Sequence, residues 1–203
     1  MMDYQEKEVK FYLQDLEAMA SRLEATGADL VRPRVLERNL RLDTPGGELS
    51  AAQRVLRLRQ DDKVHVTYKD KTHTENGVLV RTEIEFTADN LEIAQKLFEA
   101  LGYQVVVIYE KYRRVYHLGD VEVVLDEMPF GNFMEIEASN TTLIEGVAQM
   151  LGLNWERRGI TSYLGLFEVL KRNQDIQFKD LTFDNFASLE ITPGDLEVEP
   201  ADR

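Results

Sequence analysis

The chain has 203 residues, of which 43% are hydrophobic, and this suits one soluble globular domain with a sizeable core. It has no cysteine, which excludes disulfides and thiolate metal sites, and its formal net charge of −13 argues against binding to nucleic acid. The polar, acidic N-terminus is unlike a signal peptide and no apolar run is long enough to span a membrane, so we expect a cytoplasmic protein without a membrane partner.

The elements predicted from hydrophobic periodicity are mostly strands, with helices between groups of strands. Alternation predicts strands at 4–12, 54–60, 63–69, 78–87, 104–117, 120–127 and 132–138. Helical spacing predicts helices from Leu13 to Gly27, from an N-cap at Asp89 to Gly102, from Thr141 or Thr142 to about Gly152, and from Ser162 to Asn173. This order favours an antiparallel α+β protein over alternating βαβ units.

The C-terminal part divides into two differently composed segments. We predict a domain over residues 1–172 and a C-terminal extension over residues 173–203. The first part of this extension carries Phe178, Leu181, Phe183 and Phe186, so we expect it to pack on the same chain or on a partner subunit. Its end, residues 189–203, is rich in acidic residues, proline and glycine, which predicts a flexible tail.

The predicted strands concentrate charge on one face. Their apolar residues occupy the alternate positions, as in any antiparallel sheet with one solvated side, and for a single strand that interpretation suffices. The set as a whole is less ordinary, because the charged faces hold few Ser, Thr or Gln. The basic positions are Lys10, Arg57, Arg59, Lys69, Lys111 and Arg113, and the acidic positions are Glu6, Glu8, Glu83, Glu85, Asp126, Glu135 and Glu137.

A closed sheet with helices outside would turn these faces inward. An interior with so many charges needs water, counter-ions or a charged ligand, because unpaired buried ions are very costly. Carboxylates at alternate positions suit a hard divalent cation such as Mg²⁺, and a group of basic side chains suits phosphate oxygens. The pattern therefore favours a site for a metal ion and a polyphosphate.

The ordered motifs resemble those of the CYTH superfamily, the triphosphate tunnel metalloenzymes. The resemblance starts at Glu6-x-Glu8-x-Lys10 and continues through the charged positions in order to the segment GNFMEIE at 131–137. It covers residues 4 to about 172. It implies a closed antiparallel β-barrel of eight strands, a tunnel, with helices packed outside.

The resemblance also implies roles for the charged residues, listed here by role. The metal ion, Mg²⁺ or Mn²⁺, would be held by Glu6, Glu8, Asp126, Glu135 and Glu137. The triphosphate would be bound by Lys10, Arg57, Arg59, Lys69, Lys111 and Arg113. Glu83 and Glu85 would bind a second metal ion or orient the basic residues. Arg41, a further predicted substrate contact, stands where thiamine triphosphatase-like members have a tyrosine, so thiamine triphosphate is not the expected substrate. A homodimer is expected by analogy.

The implied function is an enzyme that acts on a triphosphate small molecule. Hydrolysis of the terminal phosphate of inorganic triphosphate, ATP or another nucleoside triphosphate is the first hypothesis, because it requires only water besides the bound triphosphate. A class IV adenylate cyclase, which would also have to fix the adenosine, is the second hypothesis. A non-catalytic polyphosphate-binding module and an exposed charged sheet without a site remain as alternatives.

Overall fold

The structure, a computed structural model, describes residues 5–159 and 161–203, with the side chains of residues 5 and 6 left outside that description. The strands are β1 (Gln5–Leu13), β2 (Asp29–Asp43), β3 (Val55–Gln60), β4 (Val64–Lys69), β5 (His73–Glu75), β6 (Val78–Ala88), β7 (Gln104–Leu118), β8 (Val121–Met128), β9 (Gly131–Glu137) and β10 (Arg158–Gly159). The α-helices are α1 (Leu16–Ala25), α2 (Glu48–Ala51), α3 (Leu91–Ala100), α4 (Thr141–Met150), α5 (Tyr163–Asn173) and α6 (Phe183–Phe186). No helix in these described ranges is long and apolar enough to cross a membrane.

Eight of the strands form a closed ring in which every neighbouring pair is antiparallel. Their order is β1-β9-β8-β7-β2-β3-β4-β6, and the pairing of β6 with β1 closes the ring. The short strand β5 pairs with β6 and the short strand β10 pairs with β1, but neither is a member of the ring. The predicted fold, an antiparallel eight-stranded tunnel with helices, is therefore confirmed.

The apolar faces of the strands point away from the ring interior and pack against helices. One cluster joins Val9 and Phe11 of β1 to Met19 and Leu23 of α1 and to α4. Another joins Leu40, Leu42, Leu56 and Leu58 of β2 and β3 to Ala94 of α3. Burial of these side chains supplies the main stabilisation, about 1.5–3 kcal/mol for each large one. It also forces the alternate residues inward.

Strand β2 is the longest element that the sequence analysis did not assign. Its alternation is obscured in the first half, where Arg32, Pro33 and Arg34 follow one another. The register on β7 shifts there, between residues 30 and 32 and again between residues 32 and 35, as at β-bulges. From Glu37 onward the side chains of the strand alternate, with one further register shift on β7 between Arg41 and Leu42, and this part supplies one side of the ring.

Two helix starts differ from the predictions. Leu13 is the last residue of β1, and α1 begins after Asp15, whose side chain accepts a hydrogen bond from the Ala18 backbone N–H. The N-cap of α3 is Asn90 and not Asp89, because the Asn90 side chain accepts from the Ile93 N–H. In both cases the capping side chain satisfies a free backbone donor three residues ahead.

The C-terminal extension, whose acidic end was predicted to be flexible, contacts the ring near Leu181 and again near Ala201. Leu181, fully buried, exchanges backbone hydrogen bonds with Ile108 and Glu110 of β7. The Ala201 N–H donates to the Tyr12 carbonyl, and the Asp202 carboxylate accepts from two backbone N–H groups before α1. These contacts use backbone groups and a few apolar residues, so the extension packs on the outside of its own ring, which is one of the two placements predicted for it. The flexibility of its acidic end stays a prediction. The domain limit at residue 172 stays a prediction.

Candidate active site

The ring encloses a cavity of about 1120 Å³ whose lining is mostly charged. Predicted site residues from all parts of the chain meet there: Glu8, Lys10, Arg41, Arg57, Arg59, Lys69, Glu83, Glu85, Lys111, Arg113, Glu135 and Glu137. Asp126 lies behind this lining and is fully buried. The side chain of Glu6 lies outside the described residues. The strand alternation therefore did identify which faces turn inward.

The side of the cavity formed by β7, β8 and β9 carries a closed set of ion pairs around Asp126. One carboxylate oxygen, Oδ1, accepts from Arg113 Nε at 2.7 Å, and the other, Oδ2, accepts from Lys111 Nζ at 3.0 Å and from the Tyr163 hydroxyl at 2.7 Å. Burial acts to raise the pKa of Asp126, but the nearby Arg113 and Lys111 hold that pKa below its usual value. Asp126 is therefore an anion that holds two cations and a tyrosine in place.

Glu135 extends the same network towards β1. It accepts from Arg113 Nη2 at 2.7 Å and from Lys10 Nζ, the residue that faces it across the β1–β9 ladder. Against the effect of burial, Lys10 and Arg113 keep the pKa of Glu135 well below its usual value. We call Asp126 and Glu135, with Lys10, Lys111, Arg113 and Tyr163, the Asp126 network.

The side formed by β2 and β3 is different, because some N–H donors of its cations have no hydrogen-bond acceptor among the described residues. The buried Nε groups of Arg41, Arg57 and Arg59 have no hydrogen-bond partner among the described residues, and we call these three residues the arginine cluster. Arg57 donates to Thr67 at 3.2 Å and Arg59 donates to Glu85 at 3.3 Å through their terminal nitrogens. Burial lowers the pKa of Arg41. Unsatisfied buried donors are uncommon in folded proteins and call for an explanation.

Two further inward residues of β2 were missed by the sequence analysis. Glu37 is fully buried, and its carboxylate lies 3.6 Å from Lys111 Nζ and 3.8 Å from Arg59 Nη1 without a hydrogen bond among the described residues. Asn39 is also fully buried, and both of its amide atoms lack a partner there. The period-2 spacing of residues 37, 39 and 41 is the signal that could have identified them.

The carboxylates that meet where β1 pairs with β9 are candidate metal ligands. Glu8 and Glu137 face each other directly in the β1–β9 ladder, and Glu8 also accepts from Arg81 Nη2 at 3.1 Å. Among the side chains that the structure describes, no three acidic or histidine groups converge closely enough to hold a metal ion. The oxygen donors of these two glutamates suit a hard divalent cation.

The acids of β6 contact the basic residues rather than each other. Glu83 faces Lys69 across the β4–β6 ladder and forms an ion pair with it. Glu85 accepts from the Thr67 hydroxyl at 2.7 Å and contacts Arg59. Which of the two predicted roles these glutamates have stays a prediction.

Comparison with known proteins bears on the family. A model of the CYTH domain matches residues 4–149 and confirms the resemblance found in the motifs. A protein of Methanocaldococcus jannaschii, named as a candidate adenylate cyclase, is 25% identical over 142 residues, which are 69% of this chain and 80% of that protein.

Solved structures agree with the fold. The PH1012 protein of Pyrococcus horikoshii is 27% identical, with a TM-score of 0.66 over 78% of this chain and 96% of its own. A candidate adenylate cyclase of Vibrio parahaemolyticus has a TM-score of 0.68 at 21% identity, over 78% and 94% of the two chains. A candidate adenylyl cyclase from Hippeastrum, described as having a dominant triphosphatase activity, has a TM-score of 0.62 at 21% identity, over 80% and 95%.

Proposed function

The chain belongs to the CYTH family, and from this premise we propose that it is a divalent-metal-dependent enzyme that hydrolyses the terminal phosphate of a triphosphate. The substrate would be inorganic triphosphate or a nucleoside triphosphate bound inside the ring. The observation that carries this proposal is the arginine cluster. Three arginines on two adjacent strands have buried Nε groups that lack a hydrogen-bond partner within the described residues.

A triphosphate supplies what the arginine cluster lacks. Its many anionic oxygens accept hydrogen bonds, and the planar guanidinium group matches phosphate geometry. A buried donor without an acceptor destabilises the fold by about 1–3 kcal/mol. A ligand that accepts hydrogen bonds from several such donors removes this destabilisation, and the free energy recovered adds to its binding affinity. Lys10, Lys69, Lys111 and Arg113, which line the same cavity, would add positive charge around the phosphate chain.

The proposed metal ligands are Glu8 and Glu137, which face each other, together with Glu6. A bound Mg²⁺ or Mn²⁺ would neutralise phosphate charge and polarise the phosphate oxygens. Asp126 and Glu135 were predicted as ligands too, but their oxygens accept from Lys10, Lys111 and Arg113. We propose that these two acids instead fix the directions of the cations.

The protein's own part in the reaction would be positioning and charge neutralisation. Phosphoryl transfer needs little covalent chemistry from the protein, and preorganised cations stabilise the charge that spreads over the phosphate oxygens. The Asp126 network holds its cations by ion pairs among buried groups, so they need not reorganise when the substrate reacts. Attack of water on the terminal phosphorus then releases inorganic phosphate.

Cyclisation of ATP to cyclic AMP and pyrophosphate is the second candidate function. It is favoured by the names of the Methanocaldococcus and Vibrio relatives, as candidate adenylate cyclases. The dominant triphosphatase activity described for the Hippeastrum protein favours hydrolysis. The same cations and metal ligands would serve both reactions, so products must decide between them.

The deciding experiment is a product assay. The protein is incubated with inorganic triphosphate or with ATP, each with Mg²⁺ or Mn²⁺, and phosphate, pyrophosphate and cyclic AMP are measured. We expect phosphate from inorganic triphosphate. Cyclic AMP as the main product from ATP would support the second function, and tight binding without turnover would support a non-catalytic module.

A matched pair of arginine variants tests the site itself. Arg57→Ala removes a member of the arginine cluster. Arg114→Ala removes an arginine of β7 whose buried Nε also lacks a partner among the described residues, but which forms an ion pair with Glu17 of α1 and does not line the cavity. We expect at least a tenfold loss of activity from the first variant and little change from the second. Equal activities in both folded variants would contradict the proposed site.

A further inference from the structure

Two buried tyrosines line the cavity, and their hydroxyl groups are used differently. Tyr163, the first residue of α5, donates its proton to Asp126 Oδ2 at 2.7 Å. Tyr109 of β7 instead accepts a hydrogen bond from Arg57 Nη1 at 3.4 Å. No acceptor for the Tyr109 proton occurs among the described residues, so this proton is available to a ligand in the cavity.

The surroundings of Tyr109 are cationic. Arg41 comes from β2, Arg57 from β3 and Lys111 from β7 itself. Glu37 and Glu83 act electrostatically on Arg57, and Tyr163 of α5 belongs to the same apolar cluster as the Tyr109 ring. The hydroxyl therefore lies where the anionic oxygens of a phosphate chain would be drawn.

The pKa values of the two tyrosines are also shifted in opposite directions. Burial acts to raise the pKa of Tyr109, but the positive charges of Arg57, Lys111 and Arg41 bring that pKa below its usual value. Burial and the charges of Asp126 and Glu135 raise the pKa of Tyr163 well above its usual value. Tyr109 is thus the better proton donor of the pair near neutral pH, because cations stabilise its conjugate base.

We propose that Tyr109 is a further catalytic residue, a general acid that gives its phenolic proton to the leaving group of a bound triphosphate. This inference rests on the proposed function. Water oxygen would bond to the terminal phosphorus while the bond from that phosphorus to the bridging oxygen breaks. The bridging oxygen keeps the electron pair and takes the Tyr109 proton, so that pyrophosphate leaves.

The remaining proton completes the cycle. The attacking water releases one proton as phosphate forms, and the Tyr109 phenolate takes up a proton from solvent. The net reaction is triphosphate and water to pyrophosphate and phosphate, with no other reactant. Arg57, which donates to the Tyr109 oxygen, would stabilise the phenolate between these two transfers.

The test compares Tyr109→Phe with Tyr163→Phe in the full chain, with inorganic triphosphate and Mg²⁺, over pH 6–10. A general acid must be protonated, so the wild-type rate should fall as the pH rises through the pKa of Tyr109. In Tyr109→Phe we expect kcat to drop by about a hundredfold with a smaller change in KM, and the alkaline fall to disappear. In Tyr163→Phe the alkaline fall should remain.

A second variant separates the tyrosine from the cavity lysines, which also titrate at high pH. A fluorinated, more acidic tyrosine incorporated at position 109 should move the alkaline fall to lower pH, whereas a fall caused by a lysine would stay in place. Thermal melting verifies that each variant is folded.

The outcomes separate the two proposals. If the wild type hydrolyses triphosphate while Tyr109→Phe keeps both its rate and its alkaline fall, the role of Tyr109 is overturned and the proposed function stands. An alkaline fall that fluorination leaves unmoved also overturns that role. If the wild type releases no phosphate with any metal or triphosphate, both proposals are overturned.

Discussion

The two sides of the cavity have similar charges but different hydrogen bonding. In the Asp126 network on β7–β9, both oxygens of Asp126 and those of Glu135 accept hydrogen bonds from neighbouring cations. In the arginine cluster on β2 and β3, each Nε lacks a partner among the described residues. The first side is complete without a ligand, and the second is not. A charged cavity can thus combine a network of mutually paired charges with arginines whose donors are available to an anion.

The two sides should therefore respond differently to mutation. Removing one partner from a satisfied buried ion network leaves the others uncompensated, which is strongly destabilising. Removing a cation whose donors are already unsatisfied loses its remaining contacts, but it also removes the free-energy cost of burying those donors. Mutations in the Asp126 network should thus mainly lower stability, and mutations in the arginine cluster should mainly weaken ligand binding.

The largest effect is expected from Asp126→Ala. This change leaves the buried cations Lys111 and Arg113 without their main anion and removes the acceptor of the Tyr163 hydroxyl. We expect the free energy of unfolding to fall by about 3–5 kcal/mol, measured by urea denaturation at pH 7. The control is Glu122→Ala, an inward acid of the same strand that is 43% exposed and faces His117. A loss no greater than that of the control would show that the Asp126 network does not stabilise the fold.

A smaller effect, dependent on pH, is expected from Glu37→Gln. Burial opposes the charge of Glu37, but Lys111, Arg113 and Arg59 hold its pKa below the ordinary 4.5. A carboxyl group whose pKa is lowered by folding stabilises the protein above its unfolded pKa, and this stabilisation is lost as the pH falls through the folded pKa.

The measurement is the difference in unfolding free energy between the wild type and Glu37→Gln. It should be greatest near pH 7 and should shrink as the pH falls below about 4.5. A difference that stays constant between pH 7 and pH 3 would mean that the Glu37 charge is not what stabilises the fold.

Much of this arrangement could be predicted from the sequence, since it rests on alternation. Residues such as Glu8 and Lys10, or Arg57 and Arg59, are two apart between buried apolar residues, so closure of the sheet forces them inward. The order of the motifs likewise identified the family. Strand β2 was missed because charges on both faces and irregular register hide its period.

Hydrogen-bond partners could not be predicted in the same way. Alternation gives the face on which Asp126 lies, but its contacts depend on Tyr163, a residue of α5 that lies 37 positions further along the chain. Nor does any local pattern distinguish Arg113, which has two carboxylate partners, from Arg57, whose Nε has none among the described residues. Pairing of this kind is decided by three-dimensional packing across distant elements.

The smallest effect on stability, and the sharpest test of the comparison, is expected from Arg41→Met. Arg41 forms no ion pair within the described part of the chain, its Nε is unsatisfied, and burial lowers its pKa, so its charge is poorly compensated. Methionine keeps an unbranched apolar side chain against the same neighbours. We expect the unfolding free energy to change by less than about 1 kcal/mol, in either direction. The dissociation constant for triphosphate, measured by calorimetry, should rise about tenfold, as for the loss of one charged hydrogen bond. Strong destabilisation with unchanged binding would show that Arg41 stabilises the fold and does not bind the ligand. That result would contradict the proposed difference between the two sides of the cavity.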